Sequence, residues 1–363
     1  MKKIAWIDTL RVTSAFLVIV AHFLMCDAFK GTYIGYALCY DVASIVNTTF
    51  LALSGYLIPA SLERMPNLGR FYWRKIIRVV VPFTVSYFVM TALAILPALL
   101  NETFSTRVPL ISVLHGGKLS HMIYGMFPTD INIVKYFGSN VYWFVGEWFM
   151  WAILGLYLIS PLLYKVAKKF PLAALPGSIA VVCAVYYATL SLTEEGRIHS
   201  NETIFLVRIS EFMMGMLLYM YRDKLMKVRF QLVMLILACF AIYTIYFLAS
   251  WHPLDALYFP MSILPRYVML LAIVYLVFIF TEIICSSRLK IIEWYNSFSG
   301  VSYLAMIVQH IIIYCFADIV GFEGRSLPEL AVILLLITVI TFKLAARIKK
   351  LTDPIERALT NVT

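Results

Sequence analysis

The chain contains 363 residues, of which 62% are hydrophobic and 14% are charged, and its formal net charge is +10. A soluble domain carries about 25% charged residues, so this composition excludes a soluble domain and favours an integral membrane protein. The positive charge alone would suit a nucleic-acid partner, but the basic residues cluster at the ends of apolar blocks, which is the pattern of a membrane protein instead.

The apolar residues form long blocks, and a block of about 20 residues is needed to cross the hydrocarbon region of a bilayer. Ten transmembrane helices are predicted, at about residues 4–25, 41–62, 78–100, 142–164, 172–192, 204–221, 229–250, 263–282, 299–320 and 328–346. The first block contains charged residues and lacks a small-residue cleavage site, so it is predicted to be a span and not a cleaved signal peptide. The predicted fold is an all-α integral membrane protein of about ten spans, forming a single domain over residues 1–363.

The basic residues predict the orientation of the chain. With ten spans, 21 of the 30 Lys and Arg lie at helix ends on the same side of the membrane as the N-terminus, and seven lie on the opposite side. Arg11 and Arg208 lie inside apolar blocks. Because Lys and Arg are retained in cytoplasmic loops, both termini are predicted to be cytoplasmic and no nucleic-acid partner is expected. The longest polar stretch, 101–141, then lies on the outer face, where we expect it to shape an entrance.

Cysteine and proline positions give further expectations. The six cysteines show no CxxC pair and no metal-ligand spacing, so no metal site is predicted. A disulfide between Cys26 and Cys39, near the outer end of the first hairpin, is left open. Four prolines are expected at helix ends, where a missing N–H costs little: Pro82, Pro161, Pro171 and Pro176.

Ionisable residues inside apolar blocks are candidate functional residues, because each costs about 2.5–3.5 kcal/mol at the centre of a membrane helix. They are Asp8, Arg11, His22, Glu147, Arg208, Glu211 and His310. Arg11 and His22 are 11 residues apart, so they share one helix face and are separated by about 16 Å along the axis. Asp8 falls near the same face. The alternative is a helix-end ion pair between Asp8 and Arg11, with His22 reaching the outer surface.

The remaining candidates each have a functional and a structural interpretation. Glu147 is at about the depth of His22, so it is either a proton-relay partner or a glutamate at the water surface within an aromatic belt. Arg208 and Glu211 are three residues apart, and this spacing favours a structural ion pair over catalysis. His310 lies mid-span, where a single histidine is typically a packing residue.

A basic segment precedes the third block. Arg74 and Arg78 share a helix face at a spacing of four residues, and Lys75 lies beside them. Paired basic side chains at a membrane surface suit a phosphate-rich ligand. They would also suit anionic lipid headgroups, and charge alone does not separate these two ligands.

Six segments, in order along nearly the whole chain, share the motifs of one family. They are Trp6 to His22 (R-x10-H from Arg11), Phe50 to Leu57 (resembling FFxxSGYL), Phe71 to Pro82 (with Lys75-x-x-Arg78 for RxxR), Trp143 to Leu163, Glu211 to Met216 (EFxxGM) and Ser299 to His310 (resembling SYxxYxxH). With ten predicted spans, the chain resembles the membrane acyltransferase-3 family, whose bacterial members O-acylate envelope polysaccharides. Lys75 keeps the charge of the usual arginine but not its bidentate geometry.

The resemblance implies transfer of an acyl group, most often acetyl, from cytoplasmic acyl-CoA to a hydroxyl of a surface polysaccharide or lipid-linked glycan. It implies His22 as general base or acyl carrier, assisted by Glu147 and Arg11. The implied donor-binding residues are Arg74, Lys75, Arg78 and Ser54, and the secondary candidates are Asp8, Arg208, Glu211 and His310.

The same resemblance predicts acetyl-CoA as a co-substrate, with no permanently bound cofactor. It predicts membrane lipid, acyl-CoA and a glycan acceptor as partners, and the plasma (inner) membrane of a bacterium as the location. Two alternatives remain. One is a polysaccharide or small-molecule exporter without acyl transfer, although no half-to-half repeat of the kind found in many transporters is visible. The other is a membrane protein that binds or senses a ligand without catalysis.

Overall fold

The computed structural model describes residues 4–25, 33–65, 67–100, 147–190, 205–251, 263–285 and 290–361, and within these ranges every regular element is a helix. The α-helices are α1 (Ala5–Met25), α2 (Tyr33–Arg64), α3 (Leu68–Leu100), α4 (Glu147–Lys169), α5 (Pro171–Leu190), α6 (Ile209–Met220), α7 (Arg222–Leu225), α8 (Val228–Trp251), α9 (Ile263–Cys285), α10 (Lys290–Asn296), α11 (Ser302–Val320) and α12 (Leu327–Asn361). Short 3₁₀ helices, Phe205–Arg208 and Ser297–Val301, precede α6 and α11.

Eight helices in the described part of the chain are long and apolar enough to cross a membrane. They coincide with eight of the ten predicted blocks, and the prediction of an all-α membrane protein is confirmed. The block at 204–221 folds as a 3₁₀ turn followed by α6, which has only 12 residues. The block at 229–250 lies in α8, a helix of 24 residues. The count of ten spans therefore stays a prediction.

Pro82, Pro161 and Pro176 lie inside α3, α4 and α5, and not at helix ends as expected, whereas Pro171 does begin α5. A proline inside a helix leaves the carbonyl four residues earlier without its N–H partner. In α4 that carbonyl belongs to Tyr157, and the hydroxyl of Ser160 donates to it at 2.8 Å. A local hydroxyl therefore satisfies the backbone group that Pro161 frees, which is how membrane helices tolerate proline.

The helices divide into two compact units. The first comprises Met1–Leu10, Asn47–Tyr72 and Ala152–Glu293. At its centre α2 and α6 touch backbone to backbone: a Cβ added at Gly55 would lie 2.0 Å from the carbonyl oxygen of Phe212. A Cβ at Gly215 would lie 1.8 Å from the carbonyl oxygen of Ala52. Such close crossings of membrane helices require small residues.

The second unit comprises Arg11–Val46, Trp73–Trp151 and Trp294–Thr363. Its described part consists mainly of most of α1, most of α3, and the pair α11 and α12, which pack along each other. The chain turns from α11 towards α12 at Gly321, whose φ of 70° suits glycine. The far end of α12 reaches the start of α3, where the indole N–H of Trp73 donates to the carbonyl of Leu359 at 2.9 Å.

Candidate active site

His22 lies in the last turn of α1 and is half-buried. Its Nδ1 atom lies 2.8 Å from the backbone carbonyl oxygen of Val18, one turn earlier. A carbonyl oxygen can only accept a hydrogen bond, so in the neutral ring Nδ1 carries the proton and donates it to Val18. The other ring nitrogen, Nε2, is then unprotonated. The helix thus presents His22 as an imidazole with a free basic nitrogen.

His310, on α11, packs directly against His22. The two ring centroids are 4.0 Å apart at an interplanar angle of 73°, and His310 is only 4% exposed. On its other side the ring stacks on Tyr314, with the two centroids 6.4 Å apart. His310 was predicted as a packing residue and secondary candidate, and the structure places it beside the main candidate.

Gln309, which was not predicted to be a site residue, joins the two histidines. Its side-chain Nε2 position lies 3.1 Å from Nδ1 of His22 and 3.1 Å from Nδ1 of His310. The residue is fully buried. It escapes a search for ionisable residues because an amide carries no charge. The available signal is a large polar side chain, next to His310, in an otherwise apolar stretch of α11.

Arg11 is also on α1 and is half-buried. The continuous helix holds it about 16 Å from His22 along the axis, so the two side chains do not meet. Close to Arg11 in the same unit, the hydroxyl of Thr13 pairs with that of Tyr295 at 3.0 Å. Arg11 can therefore act at the inner end of the shared face but cannot contact the ring of His22.

The donor-binding candidates lie on α3, which begins at Leu68 and so extends ten residues before the predicted span. Arg74 and Lys75 are half-buried and Arg78 is exposed. Glu356 of α12 lies close enough to Arg78 for their charges to interact. The basic segment is therefore part of a helix and is supported by the end of α12.

One contact relates this basic segment to the histidines. The hydroxyl of Tyr303, at the start of α11, donates to the carbonyl of Val79 at 3.4 Å, next to Arg78. His310 is seven residues further along α11, which corresponds to about 10 Å of helix rise. The second unit therefore holds the basic segment and the imidazole pair about 10 Å apart along α11.

Other predicted residues belong to the first unit. Arg208 and Glu211 form an ion pair at 3.1 Å with side chains 4% and 0% exposed, and Ser210 also donates to Glu211 at 3.3 Å. Asp8 is buried and Ser54 is half-buried. This unit also has an open cavity of about 390 Å³, lined by apolar side chains and by three lysines, Lys165, Lys168 and Lys169. In the sequence these lysines served only to predict the orientation of the chain.

Some predictions lie outside the described residues. Glu147 begins α4, but its side chain is outside them. The same holds for residues 101–141, for Cys26, and for the side chain of Cys39.

The apolar helices define a multi-pass membrane protein, and two of them bring His22 and His310 into contact. The model of the acyltransferase-3 family, described as an acyltransferase domain, matches residues 4–346, nearly the whole chain. The chain belongs to this family and is a membrane acyltransferase. No curated protein and no solved structure matches the chain.

Proposed function

We propose that this acyltransferase moves an acyl group, acetyl in the first instance, from cytoplasmic acyl-CoA to a hydroxyl of a surface polysaccharide or lipid-linked glycan. The reaction takes place at the outer side of the plasma membrane of a bacterium. The observation that carries the proposal is the 2.8 Å contact between Nδ1 of His22 and the carbonyl oxygen of Val18, in a ring that packs against His310. This contact leaves Nε2 as the nitrogen with the lone pair in the neutral ring. A base of this kind is what acyl transfer to a hydroxyl requires.

Nε2 of His22 takes the proton of the acceptor hydroxyl while the hydroxyl oxygen forms an ester bond to the acyl carbon. The thioester C–S bond breaks, and the proton on Nε2 passes to the departing thiolate, which leaves as CoA. In the covalent variant, Nε2 first attacks the acyl carbon and the C–S bond breaks, so that CoA leaves as thiolate. The acceptor hydroxyl then forms the ester bond as the bond between Nε2 and the acyl carbon breaks, and Nε2 takes the hydroxyl proton, which passes to the thiolate or to solvent. Both routes use the same nitrogen and give the same products.

Arg74, Lys75 and Arg78 bind the phosphates of the donor at the cytoplasmic surface, because guanidinium and ammonium groups form charge-assisted hydrogen bonds with phosphate. The slender pantetheine arm then follows α11 from the level of Tyr303 to the histidines, a rise of about 10 Å. Arg11, about 16 Å from His22 along α1, lies beyond the cytoplasmic start of this path and steadies the donor there before its thioester reaches the histidines. The acyl group reaches the outer side in this way without export of CoA.

The test is release of free thiol from acetyl-CoA by the purified protein with a panel of envelope glycans, with succinyl-CoA in a parallel series. We expect His22→Ala to lower the rate by at least about 10²-fold and to bind acetyl-CoA as the wild type does. Met25→Ala is the matched control, because Met25 lies on the same last turn of α1 and is 45% exposed.

Three results would count against the proposal in different ways. Full activity of His22→Ala would overturn the role of His22 and leave the family assignment intact. A wild type that binds acetyl-CoA but releases no thiol with any acceptor would contradict acyl transfer to glycans. A wild type that neither binds nor releases would favour the exporter alternative.

A further inference from the structure

The side-chain amide of Gln309 occupies a position shared by two imidazoles. One atom of the amide lies 3.1 Å from Nδ1 of His22 and 3.1 Å from Nδ1 of His310. The other amide atom is buried and has no hydrogen-bond partner among the residues that the structure describes. One end of the amide therefore faces both histidines. The orientation of the amide determines whether the two Nδ1 atoms face an oxygen, which accepts a hydrogen bond, or an NH₂ group, which donates one.

The nitrogen and the oxygen of a glutamine amide are exchanged by a half-turn of the group, and the surrounding hydrogen bonds decide between the two orientations. Nδ1 of His22 lies 2.8 Å from the carbonyl oxygen of Val18 and must donate there. A protonated Nδ1 cannot accept a hydrogen bond from an NH₂ group. The end of Gln309 that faces the rings is therefore its oxygen, which accepts from Nδ1–H of His310 and shares the single Nδ1 proton of His22 with the carbonyl oxygen of Val18.

We propose that Gln309 is a positioning residue that holds His22 and His310 as Nδ1–H tautomers, with the Nε2 atom of each ring left free. This inference adds a residue to the proposed site, and its expected effect on kcat rests on the proposed function. If the imidazole of His22 changes tautomer, Nε2 carries a proton and cannot accept the proton of the acceptor hydroxyl. A flip of the ring would remove Nε2 from its position in the same way. The Val18 carbonyl restrains only His22, whereas the oxygen of Gln309 restrains both rings.

Two substitutions separate the two orientations of the amide. Gln309→Glu keeps the length of the side chain and offers only acceptor oxygens, so it replaces an amide oxygen but not an amide NH₂. Gln309→Met keeps a similar length and offers no strong partner. If the oxygen faces the rings, the Glu variant retains the wild-type tautomers and the Met variant loses them.

The direct readout is the ¹⁵N spectrum of the full-length protein labelled at histidine and embedded in bilayers, because protonated and unprotonated ring nitrogens have well-separated shifts. The signals are assigned by subtraction with His22→Asn and His310→Asn among the six histidines of the chain. We expect Nδ1–H signals for both rings in the wild type and in Gln309→Glu, and mixed tautomers in Gln309→Met. The proposal is overturned by unchanged tautomers in Gln309→Met or by mixed tautomers in Gln309→Glu.

The kinetic readout follows from the proposed function. Gln309→Met is expected to lower kcat of thiol release by about 10²-fold, within the range of general-base effects, with KM for acetyl-CoA changed less than twofold. Gln309→Glu is expected to restore most of kcat. Loss of both kcat and ligand binding in both variants would indicate a purely structural role and overturn the proposal. Because the spectra do not depend on turnover, failure of the proposed function leaves the tautomer result intact and is recognised separately.

Discussion

Ser160 shows how a single hydroxyl allows proline inside a membrane helix. Its Oγ atom donates to the carbonyl of Tyr157 at 2.8 Å, the carbonyl that loses its partner because of Pro161. Residue 160 is fully buried, so no water replaces this donor if it is removed. An unpaired carbonyl inside a bilayer is costly, and the hydroxyl therefore contributes to the stability of α4.

We expect Ser160→Ala to lower the free energy of unfolding by roughly 1–3 kcal/mol, the cost of a buried group left without a partner. Ser178→Ala is the matched control. Its hydroxyl also donates to the carbonyl three residues earlier, that of Leu175, at 2.7 Å, but no proline removes the usual helix donor there. Thermal unfolding in detergent measures both variants, and an equal loss in the two would contradict this account of Pro161.

At the scale of helices, two of the segments that carry the family resemblance are partners in space. Gly55 belongs to the SGYL segment of α2 and faces the backbone of Phe212, whereas Gly215 of the EFxxGM segment on α6 faces the backbone of Ala52. The two glycines thus let α2 and α6 approach as no other residue would. These segments shape the fold of the first unit, and the pattern in the sequence is explained by packing.

Gly55→Ala and Gly215→Ala are each expected to destabilise the protein by at least about 1–3 kcal/mol, because the added methyl group meets backbone that cannot rotate away. Gly177→Ala is the control, since a Cβ there would meet nothing within 4 Å. The yield of monodisperse protein and its unfolding temperature report the effect. If Gly55→Ala were as stable as Gly177→Ala, α2 and α6 would not be in backbone contact at Gly55.

At the scale of the whole molecule, two sets of three basic residues have different surroundings. Arg74, Lys75 and Arg78 lie on α3, in the unit that holds the histidines. The other set, on α4, lines the cavity of about 390 Å³ in the first unit. Both sets fall on the predicted cytoplasmic side, so general attraction to anions does not distinguish them.

Replacing Arg74, Lys75 and Arg78 together by Gln is expected to raise KM for acetyl-CoA about tenfold or more, because charge-assisted hydrogen bonds contribute roughly 1.5–3 kcal/mol each. The matched control replaces Lys165, Lys168 and Lys169 by Gln and removes the same charge. Thiol release at several donor concentrations measures KM. An increase in KM only in the lysine variant would indicate that the donor binds at the cavity of the first unit and not at the basic residues of α3.

The sequence is a good guide to the helices because a bilayer demands about 20 apolar residues for each span. It misplaces their ends where a helix continues into polar surroundings: α3 begins at Leu68, and α12 runs on to Asn361. Hydropathy has no signal for such extensions. The short α6 is likewise helical, but its 12 residues are too few for an ordinary span.

The candidate site was predictable only in part. Helical periodicity places Arg11 and His22 on one face of α1, and motif resemblance marks His22. No periodicity relates α1 to α11, however, because His22 and Gln309 are 287 residues apart in sequence. Their contact depends on how the helices pack, which is a property of the whole bundle. The role of Gln309 therefore emerges only from three-dimensional distances.

The length of α12 has a mechanical consequence. Its 35 residues span about 50 Å, well beyond the roughly 30 Å of hydrocarbon. One part of this rod packs along α11, which carries His310, and its far end is bonded to Trp73, beside the arginines of α3. A tilt of about 5° would swing the far end by about 4 Å. A rigid tilt of α12 beside His310 would therefore also move the part of α3 that contains Trp73 and Arg74, the segment proposed to bind the donor.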